Sequence, residues 1–128
     1  MRRDVIAALL GLLALGPGPS AAAKLVEPLV VGWESIFKLA WETAERSGRP
    51  VVQGTIVNDS PYTIVAVQLL LDALDGQGRV VDQQVSWGPS SLQPFSRAAF
   101  EIPVARAAES YRVRVLAFDR LEAPSRDN

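Results

Sequence analysis

The stretch Gly54–Val81, GTIVNDSPYTIVAVQLLLDALDGQGRVV, decides the fold. It contains a β-branched run, the turn cluster Asn58–Pro61, a long apolar run, and the turn Asp75–Gly78 before another apolar run. In the long run, one set of alternate residues is uniformly apolar, and this period of two predicts a strand. Glycine and aspartate in the second turn tolerate positive φ, as a hairpin requires. We therefore expect consecutive antiparallel strands here, with these side chains facing the core: Val65, Val67, Leu69, Leu71 and Ala73.

Upstream of this stretch, large apolar side chains alternate with charged ones between Trp33 and Glu42. The alternation favours a half-buried strand. A helix is the alternative, because several of the same residues also fit a 3.6-residue repeat. Aromatic content and the following turn, Ser47–Pro50, favour the strand. We expect the preceding residues 24–32 to be extended, at most as an edge strand, because Pro28 cannot donate a hydrogen bond.

Downstream, a loop over residues 87–94 precedes a short strand at 98–102, a connection at 105–110 and a final strand at 111–118. In the final strand we expect Tyr111, Val113, Val115 and Ala117 to face inward. Strands recur about every ten residues with turns between them, and no stretch forms a βαβ unit. The sequence therefore predicts an all-β, immunoglobulin-like antiparallel two-sheet sandwich of six or seven strands.

The N-terminus has the three parts of a secretory signal peptide: Arg2 and Arg3, an apolar run, and small residues up to Ala23. The apolar run is shorter than the roughly 20 residues that cross a bilayer. We therefore expect a signal peptide at 1–23, a sandwich domain at 24–119 and a flexible tail at 120–128. This layout predicts a periplasmic or secreted protein without stable membrane insertion after cleavage. An uncleaved N-terminal anchor is the alternative.

The composition excludes several function classes. The 128 residues include no His and no Cys. Thiol nucleophiles, the Ser-His-Asp triad and ordinary zinc, copper or haem sites are therefore excluded. Residues 24–128 carry 11 basic and 13 acidic side chains without a basic cluster, which argues against nucleic acid as a partner. We expect no cofactor and no enzymatic activity.

Two short patterns have structural explanations that we prefer. Ser35-Ile36-Phe37-Lys38 matches the S-x-x-K motif of acyl-transfer enzymes, but the partner motifs are missing, and on a strand the two side chains would point to opposite faces. Asn58-Asp59-Ser60 matches an N-glycosylation site, a pattern common by chance. Asp72, Asp75 and Asp82 lie near one turn, and we interpret them as solvated turn residues rather than a calcium loop or a hydrolase pair.

The organising stretch also suggests a family. Gly54–Asn58, the long apolar strand, the Asp75–Gly78 turn and the following valines resemble the FxLYD-type bacterial β-sandwich domains. Residues 71–75 would occupy the positions of the name-giving motif, although only Asp75 matches its defining residues. Leu92-Gln93-Pro94 with Phe100, and Tyr111–Val113, resemble later segments of such domains. The resemblance covers about residues 50–118 and implies a small immunoglobulin-like fold on an exported protein, with no catalytic residues to transfer.

Three apolar residues fall on the outward positions of the predicted strands, and we expect them to form a partner-binding face: Leu70, Leu116 and Phe118. The alternative is that the segment before the first strand, or a β-bulge, covers them. The sequence thus predicts an exported non-enzymatic module that binds another protein or assists an envelope complex. The alternatives are a carrier of a small apolar ligand between the sheets and a carboxylate-based envelope hydrolase.

Overall fold

The structure, a computed structural model, describes residues 24–121. One turn of 3₁₀ helix, Trp33–Ser35, precedes seven strands. The strands are β1 (Phe37–Arg46), β2 (Arg49–Asn58), β3 (Thr63–Leu74), β4 (Val80–Trp87), β5 (Ser91–Leu92), β6 (Arg97–Pro103) and β7 (Ser110–Leu121). The predicted signal peptide lies outside the described residues.

The strands form two antiparallel sheets. The first sheet has the order β1-β2-β6. In the second sheet β3 is central, with β4 and β5 paired to one flank and β7 to the other. This arrangement confirms the prediction of an all-β antiparallel two-sheet sandwich. Among the described residues, no helix is long and apolar enough to cross a bilayer.

Two tight turns set the register of the hairpins. Arg46 lies opposite Arg49, so that only Ser47 and Gly48, both with positive φ, connect β1 to β2. Such a pair of positive φ values matches the twist of the flanking strands. In the β3–β4 turn, Asp75 Oδ1 accepts hydrogen bonds from the backbone N–H groups of Gln77 and Arg79, at 2.9 Å each. The predicted turn residues therefore act through backbone geometry and local hydrogen bonds.

The hydrophobic core fills the space between the sheets. Strand β1 is a strand and not a helix, and Phe37 is buried against the core. Val67 and Leu69 of β3 are fully buried, as the period-two pattern predicted. The buried core cluster consists of Phe37, Val52, Ile56, Ile64, Val67, Leu69, Leu71, Leu92, Phe100, Ile102, Val113 and Val115.

Irregularities in the β3–β7 ladder change which residues face inward. The register skips between Val65 and Gln68, and again between Gln68 and Leu69. Ala66 has a φ of 56°, as a bulge residue can. Each extra residue reverses the alternation, because successive strand side chains point to opposite faces. Consequently Ile64, rather than the predicted Val65, belongs to the buried core.

The lead-in segment, Lys24–Gly32, is not an edge strand. It begins above β4, where Gln83 forms two hydrogen bonds with the backbone of Val26. The Val26 N–H donates to Gln83 Oε1 at 2.8 Å, and Gln83 Nε2 donates to the Val26 carbonyl at 3.0 Å. Farther along, the Leu29 N–H donates to the Leu116 carbonyl of β7 at 2.8 Å. Because β3 lies between β4 and β7, the lead-in segment crosses the outer face of the second sheet. The other chain end also differs from expectation, since β7 extends two residues past the predicted boundary at 119.

Candidate functional site

The three residues predicted to form a partner-binding face do not form an exposed patch. Leu70 and Leu116 are buried, and Phe118 is half-buried. Leu70 lies on the outer side of β3, between two residues of the core cluster, and is covered on the side where the lead-in segment crosses. The alternative that the preceding segment covers these residues therefore describes Leu70.

The prediction that Phe118 faces outward was wrong. The Phe118 side chain packs against the core and meets Phe37 edge to face, with ring centroids 5.0 Å apart. The cause is the extra residue of β7 between Val115 and Ala117, which reverses the alternation. A bulge leaves no clear signal in the sequence, so side-chain parity alone could not place Phe118.

Beneath the lead-in segment lies an ionic cluster that the sequence prediction missed. Asp72 is fully buried on the outer side of β3. Its Oδ1 accepts a hydrogen bond from Gln83 Nε2 at 2.8 Å, and its Oδ2 accepts one from Arg112 Nε at 2.9 Å. Arg114 Nη2 forms an ion pair with the same Oδ2 at 2.8 Å, and Arg114 Nη1 donates to Glu27 of the lead-in segment at 2.9 Å.

The ionic cluster joins three strands and the lead-in segment through one carboxylate. Two guanidinium groups balance two carboxylates, which limits the cost of burying Asp72. The signal was present in the sequence, since Asp72 is the one charged residue of β3 and takes an outward position in it. Its partners lie opposite it in register: Gln83 on β4 and Arg112 on β7. Reading Asp72 as a solvated turn residue was wrong.

Asn58 is a second buried polar residue, and it explains the Asn58-Asp59-Ser60 pattern. Its Nδ2 donates to the Tyr62, Leu92 and Gln93 carbonyls at 2.7–3.2 Å. Its Oδ1 accepts hydrogen bonds from Ser60 N and Oγ at 3.1 and 2.7 Å. With no exposed surface and every polar atom bonded, this amide fixes two loops at one end of the sandwich.

Exposed apolar side chains gather on the side of the molecule that the lead-in segment crosses. Val85 and Trp87 project from the outer face of β4, on the same side as Gln83, and are 50% and 70% exposed. Val26, tied to Gln83, is exposed beside them, and Leu29 is exposed farther along the lead-in segment, where its N–H bonds β7. We call Val26, Leu29, Val85 and Trp87 the apolar surface. Contiguous exposed apolar residues of this kind mark interaction sites more often than scattered ones do.

A cleft opens between the sheets where β1 and β7 meet. We call it the side cleft; its volume is about 450 Å³. Trp41 Nε1 bridges the two strands by donating to the Tyr111 carbonyl at 3.1 Å. The lining combines apolar residues with a charged rim, and consists of Trp33, Glu34, Phe37, Lys38, Leu39, Trp41, Arg112, Val113 and Arg114. This is a feature that a carrier of a small apolar ligand would need.

A shallow groove of about 620 Å³ lies over the first sheet and contains two carboxylates. Glu42 and Glu101 flank Gln53 in register. However, Glu101 accepts two hydrogen bonds from Arg46, the one from Nε at 3.0 Å, and Glu42 accepts one from Gln53 at 3.1 Å. The Glu101 carboxylate, which also raises the pKa of Arg46, is therefore held in an ion pair. This arrangement offers little support for carboxylate hydrolysis, which needs one carboxyl group free to transfer a proton.

The remaining sequence candidates have local partners. Ser35 Oγ donates to the Gly32 carbonyl at 2.9 Å, and Lys38 lies 3.8 Å from Asp59. The pKa of Asp75 is lowered, chiefly by the hydrogen bond from the Arg79 backbone N–H. Asp72 and Asp75 thus belong to separate local arrangements. Over residues 24–121, no group of three or more acidic side chains is placed to hold a metal ion.

Comparison with known proteins yielded no relatives. No protein-family model matches the chain, and no curated protein or solved structure matches it.

Proposed function

We propose that this protein is an exported, non-enzymatic β-sandwich module that binds another protein, in a role such as assisting an envelope complex. The apolar surface carries the proposal. Trp87 and Val85 project from a rigid strand, while Val26 and Leu29 lie on a segment fixed to that strand by Gln83. A large exposed aromatic beside aliphatic side chains is the usual centre of a protein interface.

The sequence supports the exported part of this proposal. The N-terminal pattern predicts cleavage after Ala23, which would place the lead-in segment at the start of the mature chain. The resemblance to FxLYD-type domains points in the same direction, and its motif positions 71–75 span the end of β3 and the first residue of the turn. Fractionation of cells expressing the full chain, followed by N-terminal sequencing, tests this part. We expect Lys24 as the first residue in a soluble fraction outside the cytoplasm; a membrane-bound chain that still starts at Met1 would contradict it.

Site-specific photo-crosslinking tests the binding surface. A photoreactive residue at position 87 should capture a discrete partner in envelope preparations, because Trp87 is 70% exposed at the centre of the proposed interface. The identified partner, once purified, should bind the wild-type protein and not Trp87→Asp. Phe95→Asp is the matched control, since Phe95 is an aromatic that is 65% exposed on a different loop. Equal loss of binding in both variants would show that the apolar surface is not the site.

A second candidate function, carriage of a small apolar ligand, is favoured by the side cleft. The buried Phe37 and Val113 form part of its lining, so an apolar ligand there would contact the core directly. Native mass spectrometry after exposure to a lipid extract should then show a discrete added mass. Leu39→Arg should abolish the added mass without unfolding the protein, because Leu39 is only half-buried. A wild-type spectrum without added mass would contradict this function.

A further inference from the structure

Strand β1 is the outer strand of the first sheet, and no strand of the described part of the chain pairs with its second flank. Within the described residues it forms a ladder with β2 only. Other edges are covered in part: Arg106 Nη1 donates to the Val81 carbonyl of β4 at 3.0 Å, and Leu29 N donates to β7. Across the side cleft, β1 is linked to β7 through the Trp41 side chain rather than through its backbone. An open strand edge of this length can accept another strand.

The sequence of β1 is complementary to itself when two copies run antiparallel. The segment is Lys38-Leu39-Ala40-Trp41-Glu42. If Ala40 lies opposite Ala40 of a second copy, each Lys38 faces a Glu42, and each Leu39 faces a Trp41. Directly opposed residues of paired strands lie on the same face, so both charge pairs form on the outer face and both apolar pairs on the inner face.

Other registers lack this complementarity. Pairings centred on Leu39 or Trp41 place Lys38 opposite an alanine and form no Lys38–Glu42 pair. A pairing centred on Glu42 would oppose two glutamates and place Lys38 against Arg46, and one centred on Lys38 would oppose two lysines. Like charges directly opposite each other destabilise strand pairing. The charges therefore specify one register, and the small side chain of Ala40 at its centre allows close approach.

The residues that would form the pairs are accessible in the single chain. Lys38, Ala40, Trp41 and Glu42 are exposed, and Leu39 is half-buried. The ion pair between Lys38 and Asp59 spans 3.8 Å between two largely exposed side chains, so it competes weakly for Lys38. The second copy's Leu39 and Trp41 would also cover apolar residues at the mouth of the side cleft.

We propose that the protein forms a two-fold symmetric dimer in which two β1 strands pair antiparallel about Ala40. The two three-stranded sheets then become one six-stranded sheet with the order β6-β2-β1-β1-β2-β6. This inference goes beyond the proposed function and does not depend on it. The apolar surface lies on the other sheet, so each dimer presents it twice to a partner.

Charge reversal tests both the dimer and its register. The protein is expressed from its full sequence, purified in the form the host releases, and examined by sedimentation velocity over a range of concentrations. Lys38→Glu and Glu42→Lys should each weaken dimerisation at least about tenfold, because each places like charges opposite one another twice. An equimolar mixture of the two variants should restore association. In the mixed dimer, both acidic side chains of the Lys38→Glu chain lie opposite the lysines of the Glu42→Lys chain. The double variant should associate for the same reason.

Controls separate this pairing from general charge effects. Arg97→Glu changes an exposed charge on β6, the opposite edge of the same sheet, and should leave dimerisation unchanged. Ala40→Arg places two guanidinium groups at the centre and should give a monomer whose circular dichroism matches the wild type. A wild-type protein that stays monomeric at about 100 µM, far above the Kd of a stable dimer, would overturn the proposal. Single variants that still dimerise, or a mixture without recovery, would also overturn it.

Discussion

The two outer faces of this sandwich both carry Arg–carboxylate ion pairs, but the pairs differ in their exposure to solvent. On the first sheet, Arg46 pairs with Glu101 in an exposed groove, where 61% of the Arg46 side chain is accessible. On the second sheet, Asp72 pairs with Arg112 and Arg114 with no accessible surface of its own. The difference is the lead-in segment, which crosses the second face and leaves the first face open.

This contrast shows that the part of the second face beneath the lead-in segment is a second, smaller interior. Leu70 and Asp72 are both fully buried there, although they lie on the opposite side of β3 from the main core. Burial strengthens the interaction between charges because fewer water molecules screen it, but it also makes an unpaired charge costly. We therefore expect substitutions of chemically similar groups on the two faces to have unequal effects.

The largest effect should come from Asp72→Ala. The substitution leaves two guanidinium groups at a covered site without their shared carboxylate. We expect the free energy of unfolding to fall by about 3 kcal/mol, at the lower end for a broken buried pair because Arg112 is 42% exposed. Urea unfolding measures the change. Asp119→Ala, on the exposed part of β7, is the control and should change stability little.

The next effect tests whether the lead-in segment forms a packed cover. Leu70→Ala should lower the free energy of unfolding by about 2 kcal/mol, toward the small end for a buried leucine because the mostly exposed lead-in segment can move into the space. Leu29→Ala removes an exposed leucine of the cover and should change stability far less. Equal losses in the two variants would mean that the second face is no more closed than the surface.

A smaller effect should follow from loosening the cover at one point. Gln83→Ala removes both bonds to the Val26 backbone and one bond to Asp72. We expect a loss of about 1 kcal/mol and faster hydrogen exchange at the Val26 amide. Gln84→Ala is the matched control, since Gln84 bonds Pro103 and Ala105 instead. Its exchange at Val26 should stay at the wild-type rate; acceleration in both variants would argue against a local cover.

The smallest effect belongs to the open face. Arg46→Gln removes the charge that pairs with Glu101 but keeps most of the side-chain stem. Exposed ion pairs contribute little to stability and are screened by salt, so we expect the urea midpoint to stay unchanged within error. A clear shift that persists in about 1 M NaCl would show that the groove on the first sheet excludes more water than its exposure suggests, because salt screens buried ion pairs much less than exposed ones.

Sequence reasoning predicted the strands well because their signals are local. The positions of β1 to β4, β6 and β7 follow from alternation and turn residues, and the β1 helix alternative fails because the alternation from Phe37 onward is real. Sequence reasoning failed where two segments that are distant in sequence come into contact. The cover over Leu70 depends on residues far from it in sequence, and the facing of Phe118 depends on an extra residue in a ladder that only pairing defines.

The candidate sites show the same division. The ionic cluster was missed because Asp72 was grouped with its sequence neighbours Asp75 and Asp82 rather than with its neighbours on adjacent strands. The self-complementary order of charges in Lys38–Glu42 is visible in the sequence, yet only the sheet order shows that one edge of this strand is unpaired within residues 24–121. The apolar surface likewise required the contact between Gln83 and Val26.

By itself, the sequence determined six of the seven strands, the antiparallel sandwich and the exclusion of thiol and histidine chemistry, because alternation, turns and composition act over a few residues or over the whole chain. The two-residue strand β5, Ser91–Leu92, lies in a predicted loop. Only the tertiary structure decided which outer face is partly covered and which cations pair with Asp72. Those outcomes depend on how residues 24–32 cross the second sheet, and a crossing between distant segments has no repeating pattern in the sequence.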